Sequence, residues 1–174
     1  MGAAETRVSA RIELGGGEAN VSTGLLVLDH LIGELARNAR ANISVEVAPD
    51  SVGRAVSAAG SALGDGLRPL LRARGALGHG FAWLPADEAL AGAVLEASDR
   101  PTVASNVDFS GQRVGGLGSD VVARFIDGLA EGAGLNVHIR VVEGKDPENV
   151  LRAIFKALGA AIGQACRTPE GGIP

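Results

Sequence analysis

The sequence predicts an α+β fold of two tandem pseudo-repeats, each a small β-sheet with helices packed on one face. Three observations support this prediction. The chain has 174 residues, of which 46% are hydrophobic, and this is enough to form the core of one compact unit. Segments with a two-residue hydrophobic period are interspersed with segments of helical period. The order of strands, helix, strand and helix then occurs twice, and we place the repeats at residues 1–85 and 86–174.

The first repeat begins with a strand. Residues 4–14 carry hydrophobic side chains at alternate positions, as in a strand with one buried face: Val8, Ala10, Ile12 and Leu14. The three glycines at 15–17 predict a turn, and a second short strand ends near Gly24. Residues 25–39 predict an amphipathic helix, because apolar side chains recur there at helical spacing: Leu28, Leu31, Ile32, Leu35 and Ala39.

Further strands and helices complete the two repeats. ISVEVA at 43–48 predicts a strand, and residues 53–74 predict a long helix that is interrupted around Gly64, Gly66 and Pro69. The second repeat has the same order. Strands are predicted within 80–109, a helix at 120–134, a strand at 135–144 and a last helix at 148–166.

Charge and composition exclude several classes of partner. The net charge of −4 lacks the basic footprint that nucleic acid and anionic membranes require, and a 3% aromatic content disfavours stacking on bases. The single cysteine, Cys166, excludes an internal disulfide. No apolar run approaches the length of a membrane span, and MGAAETRV lacks the order of a signal peptide. We therefore expect a cytoplasmic protein that binds neither nucleic acid nor membrane.

The histidines do not form a recognisable metal motif. His30, His79 and His138 fall in different predicted elements, and no HxH, HExxH or HHxxE grouping occurs. Asp29 and His30 at a helix start are candidates for ligand contact, although a histidine satisfied by a backbone carbonyl is the simpler interpretation. We interpret His138 as a half-buried strand residue and His79 as a loop residue.

The charged residues, like the histidines, are candidates either for a structural role or for a ligand site. Asp87 and Glu88 follow a proline, where either carboxylate is able to cap a helix or a turn. Arg100, Arg113 and Lys156 are far apart in sequence, and each is by itself a solvated side chain. The glycine-rich segments at 15–18 and 115–119 match neither a phosphate loop nor a dinucleotide-binding motif, so turns explain them better.

Taken in order, several segments resemble the imidazoleglycerol-phosphate dehydratase family of histidine biosynthesis. TGLLVLDHLIGELARNA at 23–39 is similar to the family's TGIGFLDHMLxQLAxHG, and PADEAL at 85–90 resembles PMDEAL. Residues 136–165 resemble the family's tail, which contains its second HHxxE segment. Shorter matches are Glu5-Thr6, Leu14 to Gly16, SDRP at 98–101 and QRVG at 112–115. The match extends from about residue 5 to Pro174 and implies the ribosomal protein S5 domain 2-like fold.

The metal ligands of the family are mostly absent from this sequence. Family members bind two manganese ions through two HHxxE segments; in the second, the histidines correspond to Glu148 and Asn149 and the glutamate to Arg152. An arginine cannot ligate a cation. The first segment, DSVGRAV, holds no histidine, and two further family histidines correspond to Asn38 and Arg124. His30 is the only matched histidine ligand, so we expect no bound metal and no cofactor.

The phosphate-binding positions are better retained. The resemblance implies that Arg100, Arg113 and Lys156 hold a phosphate, which suits guanidinium and ammonium donors. Glu34, in place of a family glutamine, adds a negative charge, and the family's Ser/Thr-Lys phosphate loop would follow Pro174. A small phosphorylated ligand is therefore a predicted partner. The resemblance also implies a homo-oligomer, for which we expect a trimer rather than the 24-subunit shell that metals assemble in the family.

The resemblance thus predicts a degenerate, metal-free dehydratase homologue with impaired or lost dehydration of imidazole glycerol phosphate, retained for anion binding or assembly. Its vestigial catalytic candidates are Glu5, Asp29, His30 and Glu88. Three alternatives stay open. One is an active dehydratase, a carbon-oxygen lyase that holds Mn²⁺ through recruited oxygen ligands, which add Asp50 and Glu148 to that set. The others are another reaction on a phosphorylated small molecule and a purely structural oligomer.

Overall fold

A computed structural model describes residues 7–48, 52–108, 113–114 and 117–168. Within these ranges the chain forms three sheets and four long helices, in which the first helix contacts the last and the second contacts the third. This is the α+β architecture that the sequence predicts. The elements in chain order are β1 Val8–Ser22, α1 Leu26–Ala39, β2 Ala41–Val47, α2 Val52–Leu71, β3 His79–Ala86, β4 Ala89–Ala97, β5 Thr102–Ser105, β6 Arg113–Val114, β7 Leu117–Gly118, α3 Ser119–Ala133, β8 Leu135–Glu143 and α4 Pro147–Cys166.

The first sheet pairs β1 with β2, in two segments that the glycines of 15–17 separate. The first segment is antiparallel to β2, from Val8 opposite Val47 to Leu14 opposite Ala41, and the pairing resumes beyond the glycines at Ala19. All three glycines have positive φ, of 98°, 80° and 139°, which side chains rarely tolerate. The Oδ1 atom of Asn42 accepts hydrogen bonds from two backbone N–H groups of this turn. The predicted turn is therefore present inside β1.

The second sheet has the strand order β3-β4-β8-β5, in which β5 is parallel to β8 and the other pairs are antiparallel. Helix α4 packs across β3 and β4, and α3 contacts β5 and β8. The hairpin between β3 and β4 turns at residues 87–88, directly after Ala86 pairs with Ala89. The expected division between residues 85 and 86 therefore falls within a hairpin of one sheet.

Glycine allows the helices to approach closely. A Cβ atom on Gly64 of α2 would lie 2.5 Å from the carbonyl oxygen of Leu129 in α3, and one on Gly159 of α4 would lie 2.3 Å from that of Leu35 in α1. Helix α2 runs unbroken from Val52 to Leu71, so the interruption expected at its glycines and proline does not occur. Gly64 is used for helix packing, and Pro69 lies near the C-terminal end. No helix in the described part of the chain is long and apolar enough to cross a membrane.

Candidate functional site

A polar cleft of about 270 Å³ lies between α1 and the beginning of α4. Helix α1 turns its apolar face to the core and presents the opposite face to the cleft, because residues 27, 30, 34 and 37 recur at helical spacing. Helix α4 contributes two charged residues one turn apart. The cleft is lined by Val27, His30, Leu31, Glu34, Arg37, Glu148 and Arg152. The cleft thus brings His30 together with Glu148 and Arg152, the two charged residues that the resemblance aligns with the family's second HHxxE segment.

The N-terminus of α4 is held by carboxylates. Asp146 caps the helix, since its side chain accepts a hydrogen bond of 2.9 Å from the backbone N–H of Glu148. Glu88, in the β3–β4 turn, accepts hydrogen bonds from the N–H groups of Asp146 at 2.8 Å and Lys145 at 3.1 Å. Its second oxygen accepts one from the side-chain amide of Asn149 at 2.8 Å. Glu88 therefore caps the start of a helix, which is one of the two roles, helix cap or turn cap, that its sequence position suggests.

These donors also change the acidity of Glu88. The backbone N–H of Asp146 and the amide of Asn149 stabilise the ionised carboxylate and lower the pKa of Glu88 from 4.5 to about 2. A carboxylate with this pKa remains charged at neutral pH. Its negative charge lies where the positive end of the α4 dipole attracts it.

Arg152 connects the cleft with the β3–β4 turn. Its Nη1 atom lies 3.6 Å from Oδ2 of Asp87 and 3.4 Å from Oδ1 of Asn149. Asp87 has a φ of 48°, in the left-handed region that aspartate tolerates better than most residues. The guanidinium of Arg152 is therefore held at the position that the resemblance assigns to a metal-binding glutamate.

Asp29 supports the start of α1. Its carboxylate accepts a hydrogen bond of 3.0 Å from the backbone N–H of Thr23 and a second from the hydroxyl of the same residue. Thr23 is buried, with 3% of its surface exposed. Asp29 thus fixes the chain that enters α1, immediately before His30 in the cleft.

Of the three predicted phosphate-binding residues, Lys156 and Arg100 lie in different parts of the described structure. The ammonium of Lys156 donates to the carbonyl oxygen of Pro85 at 2.5 Å, beside the β3–β4 turn. Arg100 follows the far end of β4, in a turn where its backbone N–H donates to the hydroxyl of Ser98 at 3.0 Å. The length of β4, about 26 Å from its first residue to its last, separates these two regions. Arg113 lies in β6, and its side chain is outside the described part.

The remaining candidate positions lie elsewhere. Glu5 and Asp50 are outside the described residues. Asn38 donates to the backbone of its own helix at Glu34, and Arg124 pairs with Asp120 on α3 at 3.2 Å. His79 begins β3 rather than lying in a loop, and it is exposed, as is His138 on β8. His138 is therefore more exposed than the sequence pattern suggests.

The side chains of the cleft do not suit a divalent cation. His30, Glu34 and Glu148 offer a nitrogen and carboxylate oxygens, but the positively charged Arg37 and Arg152 line the same cleft. Carboxylate-rich surroundings favour manganese, whereas guanidinium charge opposes it. Within the described ranges, no three His, Cys, Asp or Glu side chains converge in a way that could hold a metal ion.

Sequence reasoning missed two contributors to this region. Arg37 lies two turns after His30 on α1. Helical spacing places both residues on the same polar face, and this pattern indicates that Arg37 lines the cleft. The sequence position of Asp87 indicates only a cap, and its ion pair with Arg152 joins residues that are 65 positions apart in sequence. No local pattern indicates such a pair.

The fold and the cleft define a class of two-repeat α+β protein in which a polar site lies between the first helix and the last. Comparisons with known proteins identify the family. The sequence model of imidazoleglycerol-phosphate dehydratase matches residues 23–162. The chain belongs to the imidazoleglycerol-phosphate dehydratase family.

Relatives and solved structures agree with this assignment. The chain is 33% identical over 178 residues to the imidazoleglycerol-phosphate dehydratase of Aromatoleum aromaticum, with 98% of this chain and 91% of the relative covered. It is 31% identical over 171 residues to that of Clostridium botulinum strain Kyoto, with 95% and 87% covered. The crystal structure of the Pyrococcus furiosus enzyme matches with a TM-score of 0.80 and 26% identity, covering 98% of this chain and 94% of that one. The Staphylococcus aureus N315 enzyme, at 24% identity, shares the fold with a TM-score of 0.83 and coverages of 93% and 94%.

Proposed function

We propose that this chain is a degenerate, metal-free member of its family that has lost most or all of the dehydration of imidazole glycerol phosphate. It is retained in the cytoplasm as an anion-binding or assembly protein. The observation that carries the proposal is the position of Arg152, which lines the cleft together with His30 and Glu148. A positive charge there opposes the binding of a metal ion.

The other carboxylates of the region already have structural partners. Glu88 accepts three hydrogen bonds at the start of α4, and Asp29 accepts two from Thr23. Both carboxylate oxygens of Glu88 accept these hydrogen bonds, so a metal ion bound there would compete with the bonds that hold the start of α4. This supports a metal-free protein over an active enzyme with recruited oxygen ligands.

The positive charges of the cleft also offset its negative ones. Glu34 lies 3.8 Å from Arg37, and Arg152 lies beside Glu148 in the cleft lining. Two carboxylates and two guanidinium groups give a lining that is close to neutral when His30 is neutral. A dinuclear manganese site requires an excess of negative or neutral ligands instead.

Anion binding would rely on residues from more than one copy of the chain. Arg100 and Lys156 lie near opposite ends of β4, so one copy alone cannot direct both at a single phosphate. A homo-oligomer, for which we keep the trimer as the expected form, supplies the second copy. The retained basic residues are suited to phosphate, since charged donors make the stronger hydrogen bonds.

A dehydratase assay tests the loss of activity. The purified protein is incubated with imidazole glycerol phosphate and excess Mn²⁺, and imidazole acetol phosphate is followed beside an authentic family member. We expect turnover more than about a hundredfold below that control, roughly 3 kcal/mol of barrier. Turnover within that range would contradict the proposal and establish the active dehydratase that the names of the relatives suggest.

Calorimetry with inorganic phosphate tests the anion-binding role. We expect binding by the wild-type protein and roughly tenfold weaker binding by Arg100→Ala and by Lys156→Ala, because each loses a charged donor. Arg74→Ala, which removes an exposed arginine after α2, is the matched control. Equal binding by all four proteins would show that these residues do not form the site.

A further inference from the structure

The cleft between α1 and α4 carries charges of both signs on each of its two walls. Helix α1 contributes Glu34 and Arg37, whose charged groups are 3.8 Å apart, and α4 contributes Glu148 and Arg152, one turn apart. A cation bound there would meet the arginines, and a free anion would meet the carboxylates, so either would lie beside charges of its own sign. A zwitterion, which carries one charge of each sign, matches both kinds of side chain.

The α4 wall has charged groups that a ligand can contact. The Nη1 atom of Arg152 lies near Asp87 and Asn149, while its Nη2 and Nε atoms carry further N–H donors. Among the described residues, the carboxylate of Glu148 has neither a hydrogen-bond partner nor an ion-pair partner. Residues 148 and 152 are about 6 Å apart along the helix axis. This spacing suits a ligand in which a single carbon atom separates the ammonium from the carboxylate.

The rest of the lining indicates the size and polarity of the ligand. Val27 and Leu31 give the cleft an apolar portion on α1, where Leu31 is 2% exposed, and His30 adds a polar imidazole. The volume of about 270 Å³ lies just below the roughly 300 Å³ at which pockets for drug-sized molecules begin. The lining therefore suits a molecule smaller than a drug, with an apolar part beside its two charges.

We propose that this cleft binds a small α-amino acid with an apolar side chain. Arg152 holds the carboxylate of the ligand, because a guanidinium presents parallel N–H donors to a carboxylate, and Glu148 holds the ammonium. The apolar side chain lies against Val27. Binding requires neither a metal ion nor a phosphate group, so this ligand differs from the one expected at Arg100 and Lys156. The inference rests on the proposed metal-free cleft and deepens it by naming a ligand class for that site.

Calorimetry with L-leucine as the probe, in a buffer containing EDTA, tests the requirement for two charges. Two analogues are the matched controls: 4-methylpentanoate keeps the carbon skeleton without the ammonium, and 3-methylbutylamine lacks the carboxylate. We expect L-leucine to bind about tenfold or more tightly than either analogue, because each analogue leaves one charged side chain without its partner. Equal binding of 4-methylpentanoate, or no binding of L-leucine, would overturn the inference.

Substitutions in the α4 wall test the assignment of the two charges. Arg152→Gln and Glu148→Gln should each weaken the binding of L-leucine by about tenfold, since each removes one charged contact and keeps a side chain of similar length. Arg74→Gln, at an exposed arginine after α2, and Glu46→Gln, on an exposed position of β2, are the matched controls and should bind as the wild type does. Wild-type affinity in both cleft variants, with thermal unfolding unchanged, would overturn the assignment.

The test is separate from that of the proposed loss of activity. EDTA removes Mn²⁺ from the titration, so binding of L-leucine is measured whether or not Mn²⁺ supports turnover in the dehydratase assay. Turnover near that of the authentic enzyme would overturn the proposed function. Failure of L-leucine to bind would overturn only the present inference.

Discussion

Arg152 and Asp87 form an ion pair, with Nη1 of the arginine 3.6 Å from Oδ2 of the aspartate, that joins α4 to the β3–β4 turn. The pair is substantially exposed, at 37% for the arginine side chain and 74% for the aspartate. Such a pair contributes at most about 1 kcal/mol to stability. The ion pair therefore matters less for stability than for the placement of Arg152, which it holds at the edge of the cleft that contains His30.

The first prediction concerns the charge at position 152. Arg152→Glu should raise the affinity for Mn²⁺ by roughly tenfold or more over wild type, since it removes a positive charge and adds a carboxylate ligand. Arg152→Gln, which removes the charge without adding a carboxylate, should give a smaller increase. Electron paramagnetic resonance of free Mn²⁺ measures both. Wild-type affinity equal to that of Arg152→Glu would show that the guanidinium does not exclude metal.

The second prediction follows from the low pKa of Glu88. A carboxyl whose pKa falls from 4.5 to about 2 on folding stabilises the protein at neutral pH, and this stabilisation is lost as pH falls from about 4.5 towards 2. Glu88→Gln should therefore destabilise the protein at pH 7, and the difference from wild type should shrink below about pH 4.5. Urea unfolding at several pH values measures the effect, with Glu46→Gln as the control. A difference that is constant from pH 7 to pH 3 would contradict the assignment.

The third prediction concerns the packing of α2 on α3. Gly64→Ala would place a Cβ atom 2.5 Å from the carbonyl oxygen of Leu129 and 2.6 Å from the backbone nitrogen of Ala133. Because these are backbone atoms, the helices must separate, and we expect a loss of about 1–3 kcal/mol in the free energy of unfolding. Gly33→Ala in α1 is the matched control. It meets nothing within 4 Å, so it should stabilise the protein by about 0.5–1 kcal/mol. Chemical denaturation measures the free energy of unfolding of both variants. Equal changes in the two variants would contradict the close packing of α2 on α3.

The fourth prediction concerns the C-terminal end of α3. Arg72 donates to the carbonyl oxygens of Ala133 at 2.8 Å and Gly134 at 3.0 Å, where the negative end of the helix dipole lies. Arg72→Ala should lower the free energy of unfolding by about 1–2 kcal/mol, because two carbonyl groups lose a charged donor. Arg74→Ala, an exposed neighbour, should change it by less than about 0.5 kcal/mol. Similar losses in the two variants would argue against the capping role.

The fifth prediction concerns the only cysteine. Cys166 is buried, with 4% of its surface exposed, and burial raises the pKa of its thiol to about 11. Since the thiolate is the reactive form, the folded protein should react with a disulfide reagent at pH 8 far more slowly than the same protein in denaturant. Rapid modification without denaturant would show that the end of α4 opens readily.

The sequence by itself determined the order of elements, the buried face of α1 and the membership of the family. These features depend on local periodicity and on segments of contiguous residues, which a linear chain displays directly. The apolar positions that the helical spacing predicts on α1, among them Leu28, Leu31 and Leu35, are all buried, and Ala36 is buried as well. The correspondence of Arg152 with the HHxxE glutamate, which the resemblance implies, likewise comes from the linear chain.

Only the tertiary structure decided which residues meet. It pairs Arg152 with Asp87 and Glu88 with the start of α4, and it separates Arg100 from Lys156. It also keeps α2 continuous through Gly64, where local propensity alone predicts an interruption. The physical reason is the same in each case. Hydrogen bonds, ion pairs and close helix packing depend on distances between groups far apart in sequence, and these distances exist only once the core has formed.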